Sequence, residues 1–329
     1  MSGITKLLLS AALPILSLNG LAQPSTPAPP RSILINVVDH NGNAVRDLAK
    51  DNFRVRINKQ PVAVLSAEYS LAPRRIVVLL DVSGSMAGNR DTEKWRIARE
   101  AVEELLAQTP AEVPIAFLTF SDHVQDVFDF RKSRAAISRW FDETPAQLDY
   151  PKGRTALLDA VVAAVRLFRA PRAGDAIYTI TDGGDNSSHV SSKQTKAALR
   201  AAGVRFFGFM FADPAPGFFE EVGSVNLLGE LAGDSGGFVF GISGKSALTG
   251  MSGWPSWDAH YVFNQQTHDK IKIFTQALNI QVNGFYAVQV AAPEQRGKAR
   301  MVSLVIVDGA GQPRKDVTFS YQRTLADEQ

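Results

Sequence analysis

The chain has 329 residues, 45% of them hydrophobic and 21% charged, with a formal net charge of +2. That balance suits an α/β domain plus a smaller unit and excludes wholesale disorder. No basic run or face points to nucleic acid, and the absence of cysteine excludes a disulfide framework.

Residues 1–22 read as a signal peptide. Lys6 supplies a basic start, Leu7 to Leu18 the apolar core, and Gly20-Leu-Ala22 a small-x-small cleavage site. The apolar core spans only 12 residues and contains Pro14, too short to cross a bilayer. The expectation is an exported bacterial protein, secreted, periplasmic or cell-surface associated after cleavage near Ala22. No later segment reads as a membrane span. Residues 23–30 form a Pro-rich linker, extended and solvated.

Residues 31–72 read as a small N-terminal β segment. Ser32 to Asp39 is strand-like, His40-Asn-Gly-Asn43 signals a turn, and Asn52 to Ile57 alternates polar and apolar residues. Val62 to Tyr69 is a further strand. Alone this unit is too small to bury much core.

From Ile76 the pattern becomes strands alternating with helices. Strands are expected at Ile76–Leu80, Val113–Phe120, Val124–Phe130, Ala176–Thr181, Val204–Phe211 and Gly237–Phe240. Helices are expected at Thr92–Gln108, Lys132–Phe141, Thr155–Arg169, Gln194–Ala202 and Lys270–Val282, with a broken helix over Phe218–Ala232. This alternation predicts an α/β fold with a doubly wound, mostly parallel sheet and helices on both faces, spanning 74–282. Residues 241–268, rich in Gly and Ser and carrying Trp254 and Trp257, read as an irregular insertion. Three strands follow in the C-terminal β segment, 283–329, and are expected to pack with 31–72 as one β-sandwich.

The chemistry concentrates where the first buried strand ends. Ile76 to Leu80 runs into Asp81-x-Ser83-x-Ser85, so one carboxylate and two hydroxyls gather at the carboxyl end of a strand. Open α/β sheets bind ligands at that edge. Thr155 opens a helix and Asp182 ends another buried strand, so both can join the cluster. Two carboxylates and three hydroxyls make a hard-cation site for Mg²⁺, with Mn²⁺ or Ca²⁺ as alternatives. Such a donor set leaves the ion's charge unsaturated, so an outside carboxylate is attracted. Asp91, Asp122, Asp185, Asn186 and Arg154 are expected near the same edge.

The set Asp81-x-Ser83-x-Ser85, Thr155 and Asp182 resembles the metal-ion-dependent adhesion site of von Willebrand factor A-type domains, relatives of the integrin I domain. Thr155 follows Asp81 by 74 residues and Asp182 follows Thr155 by 27, an order and spacing similar to the family's. The flanks resemble a bacterial secreted group of von Willebrand factor A-related proteins. The resemblance implies a non-enzymatic, exported adhesion or protein-interaction module that binds a partner's Asp or Glu carboxylate through Mg²⁺. It also implies that the helix over Lys270–Val282 shifts with the state of the metal site. A scaffold subunit of an envelope complex is the alternative. Gly233-Asp-Ser-Gly-Gly237 matches the nucleophile stretch of trypsin-like proteases, but no histidine has that family's context, and the glycines read better as a helix stop and turn. Oligomeric state is left open.

Overall fold

The protein is described here by a computed structural model covering residues 30–72, 74–87, 92–144, 154–211, 219–242, 245–246, 259–260, 262–292 and 300–325. The signal-peptide segment 1–22, all but Pro30 of the linker, Asp91, Trp254, Trp257 and most of 241–268 lie outside those residues. Among the described residues no helix is long and apolar enough to cross a membrane.

The chain enters through β1 (Arg31–Asp39), β2 (Phe53–Ile57), β3 (Gln60–Val62) and β4 (Val64–Ser70). The α/β region runs β5 (Ile76–Asp81), α1 (Gly84–Ala87), α2 (Thr92–Gln108), β6 (Ile115–Phe120), β7 (Val124–Phe128), α3 (Arg134–Glu143) and α4 (Leu157–Leu167). It continues through β8 (Ala176–Thr181), α5 (Ser192–Ala202), β9 (Arg205–Phe211), α6 (Phe219–Ser235) and β10 (Val239–Ile242). A two-residue pair, β11 (Lys245–Ser246) and β12 (Ala259–His260), precedes α7 (Gln265–Asn283). The chain closes with β13 (Phe285–Val290), β14 (Arg300–Ile306), β15 (Val317–Tyr321) and β16 (Thr324–Leu325).

Six strands form the central sheet in the order β10-β9-β8-β5-β6-β7, parallel except for the hairpin partner β7. Strands β5, β6, β8 and β9 are buried along their whole length, which is why they read as unbroken apolar runs. Alternation divides β5 between two cores. Ile76, Val78 and Leu80 pack with α2, α3 and α7, while Val77 and Leu79 pack with α4, α5 and α6. Each fully buried Val or Leu contributes about 1.5–3 kcal/mol relative to exposure, so these two layers fix the sheet between its helices. After β5 the chain moves outward to β6 and β7, then returns to place β8 on the other side of β5. The β5/β8 boundary is therefore the topological switch point, where the carboxyl ends open a crevice.

The two β segments interleave. One antiparallel sheet runs β15-β1-β13-β4 and the other β16-β14-β2-β3, so each contains strands from both ends of the chain. Their inner faces share one core, with Ile33, Ile35 and Val288 from one sheet and Phe53, Val55, Val302 and Leu304 from the other. The expected sandwich is present, and neither segment has that core alone.

Three local readings differ from the structure. Helix α4 starts at Leu157, leaving Thr155 in the preceding loop. Helix α6 is continuous to Ser235: burial of Leu228, Leu231 and Ala232 outweighs the glycines that suggested a break. Helix α7 begins at Gln265, five residues before the expected start and inside the stretch read as irregular. Asn264 caps it, its side chain accepting the Thr267 amide at 3.0 Å.

Candidate metal centre

Asp81, the last residue of β5, is fully buried, as is Ser83. The Ser83 amide donates to Asp81 Oδ1 at 2.8 Å, folding the turn back on the carboxylate. Ser83 Oγ and Ser85 Oγ lie 3.2 Å apart, so the two hydroxyls converge. Across the switch point, Thr181 Oγ1 donates to Asp81 Oδ2 at 2.6 Å and accepts the Gly183 amide at 2.9 Å. The bond from Thr181 ties the two strand ends together. Gly183, next to Asp182, takes a φ of 98°, which a side chain would resist.

Asp182 lies close enough for its charge to act on Asp81. Burial first, and the Asp182 carboxylate second, push the Asp81 pKa up to about 7, against the opposing hydrogen bonds from Thr181 and Ser83. Two carboxylates are thus held together with little water, an arrangement that asks for a cation. Lys94, in the first turn of α2, answers in part. Its Nζ lies 3.2 Å from Asp182 Oδ2 and 3.3 Å from the Ser85 carbonyl oxygen.

Thr155 reaches the same edge through its backbone. The Thr155 amide donates to Asn186 Oδ1 at 2.8 Å, and its carbonyl accepts the Asn186 and Ser187 amides at 3.0 and 3.2 Å. Ala156 donates to the Ser121 carbonyl at 2.6 Å, and Val82 to the Phe120 carbonyl at 2.8 Å, so the loops after β5, β6 and β8 are laced together. Thr155 is only 4% exposed. Asp81, Ser83, Ser85 and Asp182 are linked by direct hydrogen bonds or by charge, whereas Thr155 is brought alongside by the main chain.

The neighbouring polar residues mostly position the loops. Asp185 Oδ1 accepts the Leu158 amide at 3.3 Å and the Ser188 hydroxyl at 2.6 Å, capping α4. Asp159 Oδ1 accepts the His189 and Val190 amides at 3.1 and 3.0 Å. Asp122 pairs with the Ser121 hydroxyl and with His123, and Arg154 is exposed. Thr181 and Lys94 were not singled out by sequence. Thr181 read as a strand residue, but Lys94 carries a signal: a cation in a helix's first turn opposes the macrodipole.

The donor set fits a divalent ion in kind. It is made of carboxylate and hydroxyl oxygens, suited to Mg²⁺, Mn²⁺ or Ca²⁺. Among the described residues no group of three or more His, Cys, Asp or Glu is arranged to hold a metal, so the hydroxyls are an essential part of the donor set. Ser235, the serine of the protease-like stretch, is committed to structure. Its Oγ accepts the Phe206 amide at 2.8 Å and donates to the Leu231 carbonyl at 2.8 Å, joining the end of α6 to β9.

A doubly wound α/β domain with a carboxylate and hydroxyl cluster at its switch point belongs among the ligand-binding α/β folds. The sequence profile of the von Willebrand factor type A domain matches residues 76–184, from β5 through Asp182. Over that stretch the chain is similar to von Willebrand factor A-type domains, a class that generally serves as a protein-interaction module. Among solved structures, a von Willebrand factor type A protein from Catenulispora acidiphila is 13% identical, covering 90% of this chain and 75% of its own, with a TM-score of 0.46. An aerotolerance-related membrane protein from Bacteroides fragilis is 14% identical over 64% of this chain and 98% of its own, with a TM-score of 0.44. Proximal thread matrix protein 1 of the mussel byssus is 17% identical over 68% of this chain and 50% of its own, with a TM-score of 0.47. No curated protein matches the sequence.

Proposed function

We propose that this protein is an exported, metal-ion-dependent protein-binding module that takes Mg²⁺ at Asp81, Ser83, Ser85, Thr155 and Asp182 and engages a partner's Asp or Glu carboxylate. The observation that carries this reading is the buried Asp81 held against Asp182, with the Ser83 and Ser85 hydroxyls converging beside them. A bound divalent ion would neutralise the two carboxylates and offer an outside oxygen ligand an open position. The chain's own part is positional. Thr181 and the Ser83 amide fix Asp81, Asn186 fixes Thr155, and Gly183 lets the Asp182 loop turn. Export is supported by the signal-peptide pattern of residues 1–22.

The reading is tested by selecting a displayed random-peptide library on the protein in Mg²⁺ and in EDTA, with Asp182→Ala as control. Mg²⁺-dependent binders whose Asp or Glu cannot be replaced by Asn or Gln are expected. Binders retained equally in EDTA and on Asp182→Ala would overturn it.

A further inference from the structure

We infer that Lys94 is a tethered counter-cation that sets the divalent-ion affinity of this site by holding Asp182 until an ion displaces it. This rests on the metal-binding reading above and adds a residue that the five expected ligands do not include.

Three observations carry it. First, the Lys94 ammonium lies 3.2 Å from Asp182 Oδ2, and both side chains are only 15% exposed, so solvent screens the pair weakly. Second, the same ammonium sits 3.3 Å from the Ser85 carbonyl oxygen, so it spans two of the loops that supply the expected ligands. Third, Lys94 is the third residue of α2, where the positive end of the helix disfavours a cation. The Asp182 carboxylate and the Ser85 carbonyl favour the ammonium there against that local preference.

Charge accounting gives the consequence. Asp81 and Asp182 supply two negative charges when ionised, and Lys94 balances one. A divalent ion balances both, and an ammonium left on Asp182 would then repel it at close range. Metal entry and the Lys94–Asp182 contact are therefore alternatives. Displaced from Asp182 but still beside the loaded edge, the ammonium is one positive charge in excess of the two carboxylates and the ion, and one incoming carboxylate neutralises it. The same residue that weakens metal binding in the free protein thereby favours the state that holds metal and partner together.

The test is calorimetric titration of Mg²⁺ into the wild type, Lys94→Met and Lys94→Arg, with thermal unfolding of each in EDTA and in saturating Mg²⁺. Methionine keeps the apolar stem without the charge, and arginine keeps the charge. Mg²⁺ should bind Lys94→Met about tenfold more tightly than wild type, with Lys94→Arg close to wild type. In EDTA Lys94→Met should unfold at a lower temperature than wild type, and saturating Mg²⁺ should remove the difference. Equal affinities in wild type and Lys94→Met would overturn the role of Lys94 and leave the metal site standing. No Mg²⁺ binding by any of the three proteins would overturn the metal reading itself, and this inference with it.

Discussion

Arg205→Met is the substitution whose cost the structure defines best. Arg205 opens β9 and is fully buried. Its Nη1 donates to Asn36 Oδ1 at 2.8 Å and to the Gln281 carbonyl at 2.7 Å, and its Nη2 to the Gly174 and Val282 carbonyls at 3.1 and 3.0 Å. The guanidinium also lies over the Phe285 and Phe207 rings, at 4.7 and 5.4 Å from their centroids. It therefore joins the central sheet, the end of α7 and strand β1 of the sandwich. Burial, and secondarily the nearby Arg74, push its pKa down to about 9, so it still carries its charge at neutral pH. Removing it leaves the Gly174 and Val282 carbonyls and Asn36 Oδ1 without that donor. Gln281 keeps the Asn36 amide at 2.9 Å. At about 1–3 kcal/mol for each buried unsatisfied group, less the recovered cost of burying a charge, the expected loss is about 3–5 kcal/mol. Arg205→Lys should restore little, because a single ammonium cannot present the planar fork these acceptors require. Equilibrium urea unfolding followed by circular dichroism measures the loss. A change under about 1 kcal/mol would refute the reasoning. The same bonds bear on the expectation that the last helix shifts: any slide of α7 must break its carbonyl bonds at Gln281 and Val282.

Three further outcomes follow from local geometry. A Cβ at position 237 would lie 1.9 Å from the Phe206 carbonyl oxygen, backbone that cannot give way, so Gly237→Ala should cost at least about 3 kcal/mol or abolish soluble expression. Asn186→Ala frees the Thr155 amide and should weaken Mg²⁺ binding about tenfold while leaving the far-ultraviolet spectrum unchanged; unchanged affinity would show that Thr155 needs no such buttress. For Asp159, burial alone would raise the pKa, but the His189 and Val190 amides and the His189 ring outweigh it and hold the carboxyl below 3.8. A depressed folded-state pKa contributes stability above the unfolded value that is lost as pH falls through the folded one. The hydrogen-exchange protection factors of the 186–190 loop, taken relative to the intrinsic exchange rate at each pH, should therefore fall below about pH 4. Asp159→Asn should show weakened protection already at neutral pH.

The candidate site could be put forward from sequence because Asp81 and Asp182 sit where strand periodicity ends. Ile76 to Leu80 reads as a strand buried on both faces, and Asp81 and Asp182 stand at the ends of two such strands that the fold places side by side. What the sequence hid depends on distant partners. Nothing local says that Asn186 holds Thr155, 31 residues away, or that Lys94 meets Asp182, 88 residues away. The pairing order β15-β1-β13-β4 was hidden for the same reason, since β1 pairs on both sides with strands from the far end of the chain. The start of α7 was obscured because only its Asn264 cap marks it, directly after a Gly- and Ser-rich stretch.

The central claim is a divalent ion at the carboxyl edge of β5 and β8, and the most direct measurement is an anomalous difference map from crystals grown with Mn²⁺. The account predicts one strong peak bounded by Asp81, Ser83, Ser85, Thr155 and Asp182, with Lys94 turned away from Asp182. A map without a peak there, with the Lys94–Asp182 contact intact at saturating Mn²⁺, would contradict it.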